Sequence, residues 1–446
     1  MENRGDTGLS ILPPACVSRH VDRYLLVWDS PAQWISADRE LLDLIGLLDG
    51  SRSLDLALAQ LAGGNGGPPA QFDQAARDVL AELDRRGLLA DRPVAVEPEE
   101  ISLANITVNL TNRCNLRCPW CYNADRATAE VPVELLMAAI SAARDCLAPD
   151  ASLNILGGEP LLDRDRLLKC LELSRGLFSR PVMVSTNGTL LDQELADALA
   201  GFDVEVQVSL DAPDAAGHDA LRGPGVFDKA LASVRLLRQR GIPVILSMVF
   251  DAEGHRQFED YLRLGQRLGV REVRFIPLRL IGRAARLSDR RPDLLAALGE
   301  VRRIRMERPR LAALLGRDYF SILGQVCAAP GQRTGCGLGR KVLFIDADGG
   351  IYPCPNLTTA EYFCGNVKDA SIREVIHNSP VFRRLQQACQ VRRRPACSAC
   401  TYRHWCAGDC RAEAASGNGD LFSPAVHCGE MPRLIEETLW DISTRR

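Results

Sequence analysis

The sequence has no apolar run of about 18 residues and no charged-then-apolar leader at Met1, which argues against a membrane span and a secretory signal. The expected compartment is therefore the cytoplasm. Surplus charge is also missing. Fifty-four Lys and Arg stand against 57 Asp and Glu, a formal net charge of −3, which gives no reason to expect nucleic acid or a membrane surface as partner. Cysteine, in contrast, is plentiful. In a reducing compartment, where disulfides are rare, the 16 cysteines argue for metal ligands, and eleven of them fall at ligand-like spacings. With 46% apolar and 25% charged residues the chain reads as an ordinary globular protein, and at 446 residues it should form two or three domains.

The densest pattern is Cys114-x3-Cys118-x2-Cys121, inside Thr111-Asn112-Arg113-Cys114-Asn115-Leu116-Arg117-Cys118-Pro119-Trp120-Cys121-Tyr122. Three thiolates packed this closely can converge on one face of an iron–sulfur cube. The fourth iron is then left without a protein ligand, open to a small molecule. Taken alone, the same spacing would also serve a structural zinc ion or three buried thiols.

Before this motif, β-prone pieces at residues 24–28 and near Trp34 give way to helical patterns. Leu41, Leu42, Ile45 and Leu48 share one face closed by Gly50, and Leu54, Leu58 and Leu61 repeat the pattern from a Ser53 cap. A third helix carries Phe72, Val79, Leu80 and Leu83 and ends at Gly87. Residues 1–92 thus form a winged-helix-like unit, with a flexible loop at 63–69 and a Pro- and Glu-rich linker at 91–100 leading out. The strand pair, Leu47-Leu48-Asp49-Gly50 and the closing 83–89 segment resemble the peptide-recognition domain of peptide-maturation systems, relatives of the pyrroloquinoline-quinone chaperone. That resemblance implies a leader peptide added as a strand to the sheet edge. Cys16 is read as a plain thiol.

From residue 101 to 310 the period changes. Strand-like runs at 106–110, 153–156, 182–185, 204–210, 244–249 and 273–278 alternate with helical patterns at 133–147, 166–178, 193–199, 228–239 and 256–268. Six β-then-α units predict an α/β fold, a partial (β/α)6 TIM barrel whose chemistry lies at the carboxyl ends of the strands. The polar signals fall there: the three-cysteine loop after the first strand, Gly157-Gly158-Glu159-Pro160 after the second, Ser185-Thr186-Asn187-Gly188 at the third and Ser209-Leu210-Asp211 at the fourth.

Together these residues resemble the radical S-adenosylmethionine enzymes, over roughly residues 101–306. The resemblance implies a [4Fe-4S] cluster on Cys114, Cys118 and Cys121, with S-adenosyl-L-methionine chelating the open iron. It also implies that Gly157, Gly158 and Glu159 approach the cofactor's ammonium and that Ser185, Asn187 and Ser209 contact its ribose or methionine end. Trp120 takes the aromatic position beside the cluster, and Arg222 is a candidate for the cofactor carboxylate. Residues 279–310 are arginine-rich and helical, most simply a solvated face, or else a track for an acidic peptide.

The carboxyl-terminal part, 320–446, is cysteine-rich. Cys336 is followed by Gly349 and Cys354, then by Cys397, Cys400, Cys406 and Cys410 at x2, x5 and x3, and by Cys428. Two zinc ions would suit these sulfurs as well as iron would. The arrangement is similar to the SPASM extension of radical S-adenosylmethionine enzymes, a cluster-binding domain. By that likeness Cys327, Cys336, Cys354 and Cys410 hold a nearer auxiliary [4Fe-4S] cluster and Cys397, Cys400, Cys406 and Cys428 a farther one, three clusters in all. Cys146 and Cys170 are read as buried thiols. Cys364 and Cys389 lie outside the spacing, and His404 is not read as a ligand.

The implied reaction is reductive cleavage of the cofactor to a 5′-deoxyadenosyl radical, which removes hydrogen from an unactivated carbon. The expected enzyme is a maturase that binds a ribosomally made precursor peptide through its leader and forms a thioether or carbon–carbon cross-link. A flavodoxin or ferredoxin is the expected electron donor; no residue is assigned as catalytic acid or base. Epimerisation or formylglycine-type oxidation are related outcomes. Against the latter, Pro355 stands where sulfatase-maturing relatives place an aspartate. A non-catalytic multi-cluster electron carrier or peptide scaffold would explain the cysteines but not the loops at 157–160 and 185–188.

Overall fold

The computed structural model describes residues 9–62, 70–90, 100–123, 126–329, 331 and 333–444. The expected loop at 63–69 and the linker from 91 to 99 lie outside these residues, as do the side chains of residues 70–72.

The chain opens with an antiparallel meander of β1 (Cys16–His20), β2 (Arg23–Asp29) and β3 (Ala32–Ala37), with β2 in the middle. Successive side chains of a strand point to opposite faces. In β2, Leu26 and Trp28 pack on the unit's own helices, while Leu25 and Val27 join the main core of the molecule. Burial on both faces explains why 24–28 reads as an unbroken apolar run. Helices Arg39–Leu47, Leu54–Leu61 and Ala70–Arg85 follow, the first two capped by Asp38 and Ser53 side chains that accept from the Leu41 and Leu56 amides. Gly50 and Gly87 take positive φ just past helix ends, as their positions predict.

Next come β4 (Leu103–Asn109), β5 (Leu147–Leu156), β6 (Val182–Thr186), β7 (Val204–Ser209), β8 (Val244–Phe250) and β9 (Glu272–Pro277), side by side in chain order and all parallel. Between them run helices Val133–Ala142, Arg164–Ser174, Gln193–Leu199, Val226–Gln239 and Phe258–Leu268, plus Ala215–Arg222, which the sequence pattern did not single out. The first of these stops short of the expected 147. Pro149 disfavours a helical Ala148, and β5 begins at Leu147, well ahead of the expected 153.

The cysteine-rich region continues this sheet. Strand β10 (Val342–Ile345) lies parallel to β4, with Leu343 opposite Ile106; β11 (Gly350–Tyr352) and β12 (Gly365–Asn366) extend it antiparallel, giving nine strands. Short helices Pro395–Ser398 and Arg403–Cys406 carry Cys397 and Cys406, and helix Met431–Ser443 closes back on helices Leu294–Glu307 and Tyr319–Ala328. The amino-terminal unit is anchored in the same place: the Trp34 indole donates to the Cys327 carbonyl, and His20 meets the Trp440 ring at 5.5 Å.

Arg286, Arg308 and Arg310 are exposed, as a solvated face requires, but three other arginines of 279–310 are not part of such a face. Arg279 pairs with Asp409 and Glu413 (3.2 and 2.7 Å), Arg291 with Glu430, and Arg302 with Glu437 and Asp441. The segment is the seam between the parallel strands and the cysteine-rich region. Among the described residues, no helix is long and apolar enough to cross a membrane.

Asp318 caps helix Tyr319–Ala328 by accepting from the Ser321 amide at 2.6 Å, but it is buried and its second oxygen has no partner. Burial pushes its carboxyl from 3.8 up to about 6, a difference worth roughly 3 kcal/mol. Because the folded value is the higher one, that stability is fully present below 3.8 and is lost as pH rises through 6. Asp318→Asn, which keeps a capping oxygen, should therefore raise the denaturation midpoint at pH 8 about twice as much as at pH 5, and change it little below pH 3.8. An equal shift at pH 8 and pH 5 would show that the carboxylate is not the cause.

Candidate functional site

The carboxyl ends of β5 to β9 open into one cavity of about 350 Å³. Such strand ends are where open parallel sheets bind ligands. Cys114, Cys118 and Cys121, on the loop after β4, line it, with Trp120 at the same wall. Burial pushes the Cys114 and Cys118 thiols up, while the Arg222 guanidinium beside Cys118 acts in the opposite direction.

Backbone contacts hold the cysteine loop against the next one. The Gly158 amide donates to the Thr111 carbonyl at 2.7 Å and the Glu159 amide to the Arg113 carbonyl at 2.9 Å. A Cβ on Gly157 would lie 2.3 Å from the Thr111 oxygen, and one on Gly158 would lie 2.0 Å from that of Arg113. These glycines face the cavity, yet their first steric duty is to let two backbones touch.

Glu159 does not line the cavity. It is fully buried and accepts from the Thr186 hydroxyl (2.6 Å), the Asn187 amide (2.7 Å) and the Leu161 amide (3.1 Å), so it ties the 157–160 loop to the end of β6. Burial raises its carboxyl and these donors counteract the rise. Asn187 lines the cavity, but its amide already bonds Asn115 and its oxygen accepts from Thr189. Ser185 and Ser209 also line it, as does Arg222, which is paired with buried Asp211 at 2.5 Å. The Trp120 indole N–H has no partner, and the Arg290 guanidinium lies 5.5 Å from the ring.

Sequence reading missed Gln207, Ser247, Pro355 and Asn356 among the lining residues. The first two were legible. Gln207 is two residues before Ser209 and Ser247 is opposite Ser209, so strand parity puts all three on one face. Pro355 and Asn356 come from the cysteine-rich region and reach the cavity only through tertiary packing, with Arg126 donating to the Pro355 carbonyl at 2.6 Å.

The other cysteines fall into two groups. Cys397, Cys400, Cys406 and Cys428 share a small cavity of about 30 Å³. Cys336, Cys354, Cys364 and Cys410 border a further apolar cluster, in which Cys389 is also buried. Cys327 is placed elsewhere, fully buried in the main core on helix Tyr319–Ala328. Cys146 and Cys170 are core thiols, and His404 is apart from the four-cysteine cavity, with Nδ1 at 3.0 Å from the Arg333 carbonyl.

Arg394 and Arg411 are buried near the thiols of both groups. They donate to carbonyls of Ala407, Gly408, Leu421 and Ser423, and among the described residues neither forms an ion pair with a carboxylate. Each keeps an unpartnered Nε. Buried charges lacking a counterion are costly, so the region fits a bound anion such as a thiolate-held iron–sulfur cluster.

Comparison with known proteins agrees. Residues 108–265 match the radical SAM superfamily, and residues 336–401 match an iron–sulfur cluster-binding domain, SPASM. The chain is 33% identical over 374 residues to the mycofactocin maturase MftC of Mycobacterium tuberculosis, covering 78% of this chain and 85% of that one. It is 29% identical over 368 residues to an AdoMet-dependent heme synthase of Nitratidesulfovibrio vulgaris, covering 77% and 97%. In fold it resembles Streptococcus suis SuiB solved with its precursor peptide SuiA, with a TM-score of 0.61 at 14% identity over 94% of this chain and 99% of that one.

Gly158→Ala should destabilise the chain by about 1–3 kcal/mol, the usual cost of overpacking, measured by chemical denaturation. The control is Gly299→Ala in helix Leu294–Glu307, where an added Cβ meets nothing within 4 Å, and it should be neutral or stabilising by up to about 1 kcal/mol. Equal effects would mean that the contact with Arg113 is not what requires glycine.

Proposed function

The chain belongs to the radical SAM superfamily and carries its SPASM extension, and from that premise we propose that it is a maturase acting on a core residue of a ribosomally made precursor peptide. The products we favour are a thioether or a carbon–carbon cross-link. In this reading residues 1–92 grip the leader, 101–310 form the partial barrel that binds S-adenosylmethionine, and 320–446 hold two auxiliary clusters.

The observation that carries the peptide assignment is the groove beside β3. Strand β3 is an edge of its sheet, and a cavity of about 390 Å³ lies between it and helix Ala70–Arg85. Ile35, Leu41, Val79 and Leu83 supply an apolar floor, and Arg23 and Arg86 stand at its border. An edge strand offers unpaired backbone groups, and an apolar floor offers sites for alternate side chains. The relative named as a maturase and the fold likeness to a peptide-bound structure support the same substrate class.

Cys114, Cys118 and Cys121 would hold the cluster that binds the cofactor. Bound together, that cluster and S-adenosylmethionine supply a radical able to take hydrogen from an unactivated carbon. The chain's own part is positioning. Gly157 and Gly158 keep the cofactor wall narrow, while Ser185, Gln207, Ser209 and Ser247 present polar groups from the strand ends. Arg222, steadied by Asp211, offers positive charge to a carboxylate. Trp120 and Ile276 add apolar wall that excludes water from the cavity. A flavodoxin or ferredoxin would supply the electron.

The test is anaerobic. Reconstituted, reduced protein given S-adenosylmethionine should form 5′-deoxyadenosine and hold about twelve irons per chain, as three cubes require. Replacing Cys114, Cys118 and Cys121 by Ala should abolish that product and remove about four irons. Peptides encoded by short reading frames beside the gene should emerge two hydrogens lighter. Failure to form 5′-deoxyadenosine would overturn the enzyme assignment. Leu41→Asp in the groove should weaken peptide binding about tenfold or more, a change of at least about 1.4 kcal/mol, without altering peptide-free cofactor cleavage. Unchanged peptide affinity would remove the groove from leader recognition.

A further inference from the structure

Three of the four sulfurs expected at the nearer auxiliary site, Cys336, Cys354 and Cys410, border one apolar cluster, and Cys327, the expected fourth, does not. Cys327 sits on helix Tyr319–Ala328, fully buried in the main core, and its carbonyl is held by the Trp34 indole. Its sulfur belongs to the main core, and its backbone is fixed by the contact that anchors the amino-terminal unit.

Two other thiols meet that cluster, Cys364 at its border and Cys389 within it, and of the two it is Cys389 that approaches Cys336. Cys389, immediately after helix Pro380–Ala388, has its Sγ 3.9 Å from that of Cys336 and belongs to the same buried cluster as Cys354 and Cys410. The approach is built into the backbone. A Cβ on Gly335 would lie 2.3 Å from the Cys389 carbonyl oxygen, so the chain entering Cys336 presses directly on Cys389. The Val391 amide donates to the Thr334 carbonyl at 2.8 Å, and the Gln386 side chain donates to the Gly339 carbonyl at 2.8 Å. Three contacts thus fasten residues 334–339 along the end of this helix. Arg394 and Arg411, each with an unpartnered buried Nε, supply the positive charge that an anionic cluster at this place would neutralise.

We propose that Cys389, not Cys327, is the fourth protein ligand of the nearer auxiliary cluster, completing a set with Cys336, Cys354 and Cys410. The proposal rests on the cluster-binding reading above and adds to it a closed site. With four thiolates, no iron of that cluster is free to take the substrate, and its role narrows to accepting and passing an electron.

The experiment uses the full chain carrying Cys114, Cys118 and Cys121 replaced by Ala, reconstituted with 57Fe and sulfide and read by iron content, Mössbauer and electron paramagnetic resonance spectra. About eight irons per chain are expected, all with sulfur coordination at the four positions of each cube. Adding Cys389→Ser should introduce one oxygen-coordinated iron or lose about four irons, whereas adding Cys327→Ser should leave content and spectra unchanged. An oxygen- or nitrogen-coordinated iron in the protein with both Cys327 and Cys389 intact would overturn the proposal even if the Cys389 variant failed to fold. So would unchanged spectra in Cys389→Ser, or the predicted change appearing in Cys327→Ser. Absence of iron from all forms alike would overturn the cluster reading itself along with this assignment.

Discussion

The site depends first on two backbone hydrogen bonds, from the Gly158 amide to Thr111 and from the Glu159 amide to Arg113. They press the loop after β5 against the loop after β4 so closely that neither glycine position has room for a Cβ. Glu159 then carries the constraint onward. A buried carboxylate that accepts from Thr186, Asn187 and Leu161 joins a third loop to the pair. Its charge is costly to bury, so the loops must supply donors, and in doing so they fix one another. Three consecutive strand ends thereby become one rigid wall, and the cysteines are mounted on it.

A second constraint governs the other side of the cavity. The cysteine-rich region is joined to the parallel strands by sheet continuity, β10 against β4, and by the Arg279, Arg291 and Arg302 ion pairs. Arg279 is well buried and its two carboxylates more so, which makes this seam unlike a surface ion pair worth little. Removing one partner would strand the other charge inside. Part of the charge that looked like a solvated face in the sequence, Arg279, Arg291 and Arg302, is the fastening between two parts of the molecule. Density of arginine alone could not reveal this, because the partners Asp409, Glu413, Glu430, Glu437 and Asp441 lie more than a hundred residues away.

Much else was legible. The period-2 and helical runs between 101 and 278 foretold the alternating strands and helices, and the cysteine loop with the strand-end polar residues foretold part of the cavity wall. Where local pattern misled, a nonlocal contact decided the matter. Glu159 was expected to face the cofactor; instead the Thr186 and Asn187 donors turn it inward. The spacing of Cys336, Cys354 and Cys410 was informative, but the neighbour of Cys336 is Cys389, brought close by helix packing that no spacing encodes. Pro355 and Asn356 illustrate the same limit from the opposite direction. Their proximity to Cys354 was visible, yet their place in the cavity follows only from how β10 docks.

That last placement orders the molecule's parts. Pro355 is the next residue after Cys354, and consecutive Cα atoms are about 3.8 Å apart, so the Cys336–Cys354–Cys410 group begins one peptide from the cavity wall. Arg394 is a charge neighbour of Cys336 and Cys389 in that group and of Cys397 in the other, which places it between them. From the cavity outward the sequence is therefore cysteine loop, first group, buried arginine, second group. The groups adjoin one another through the Cys354–Pro355 peptide and the buried Arg394 charge.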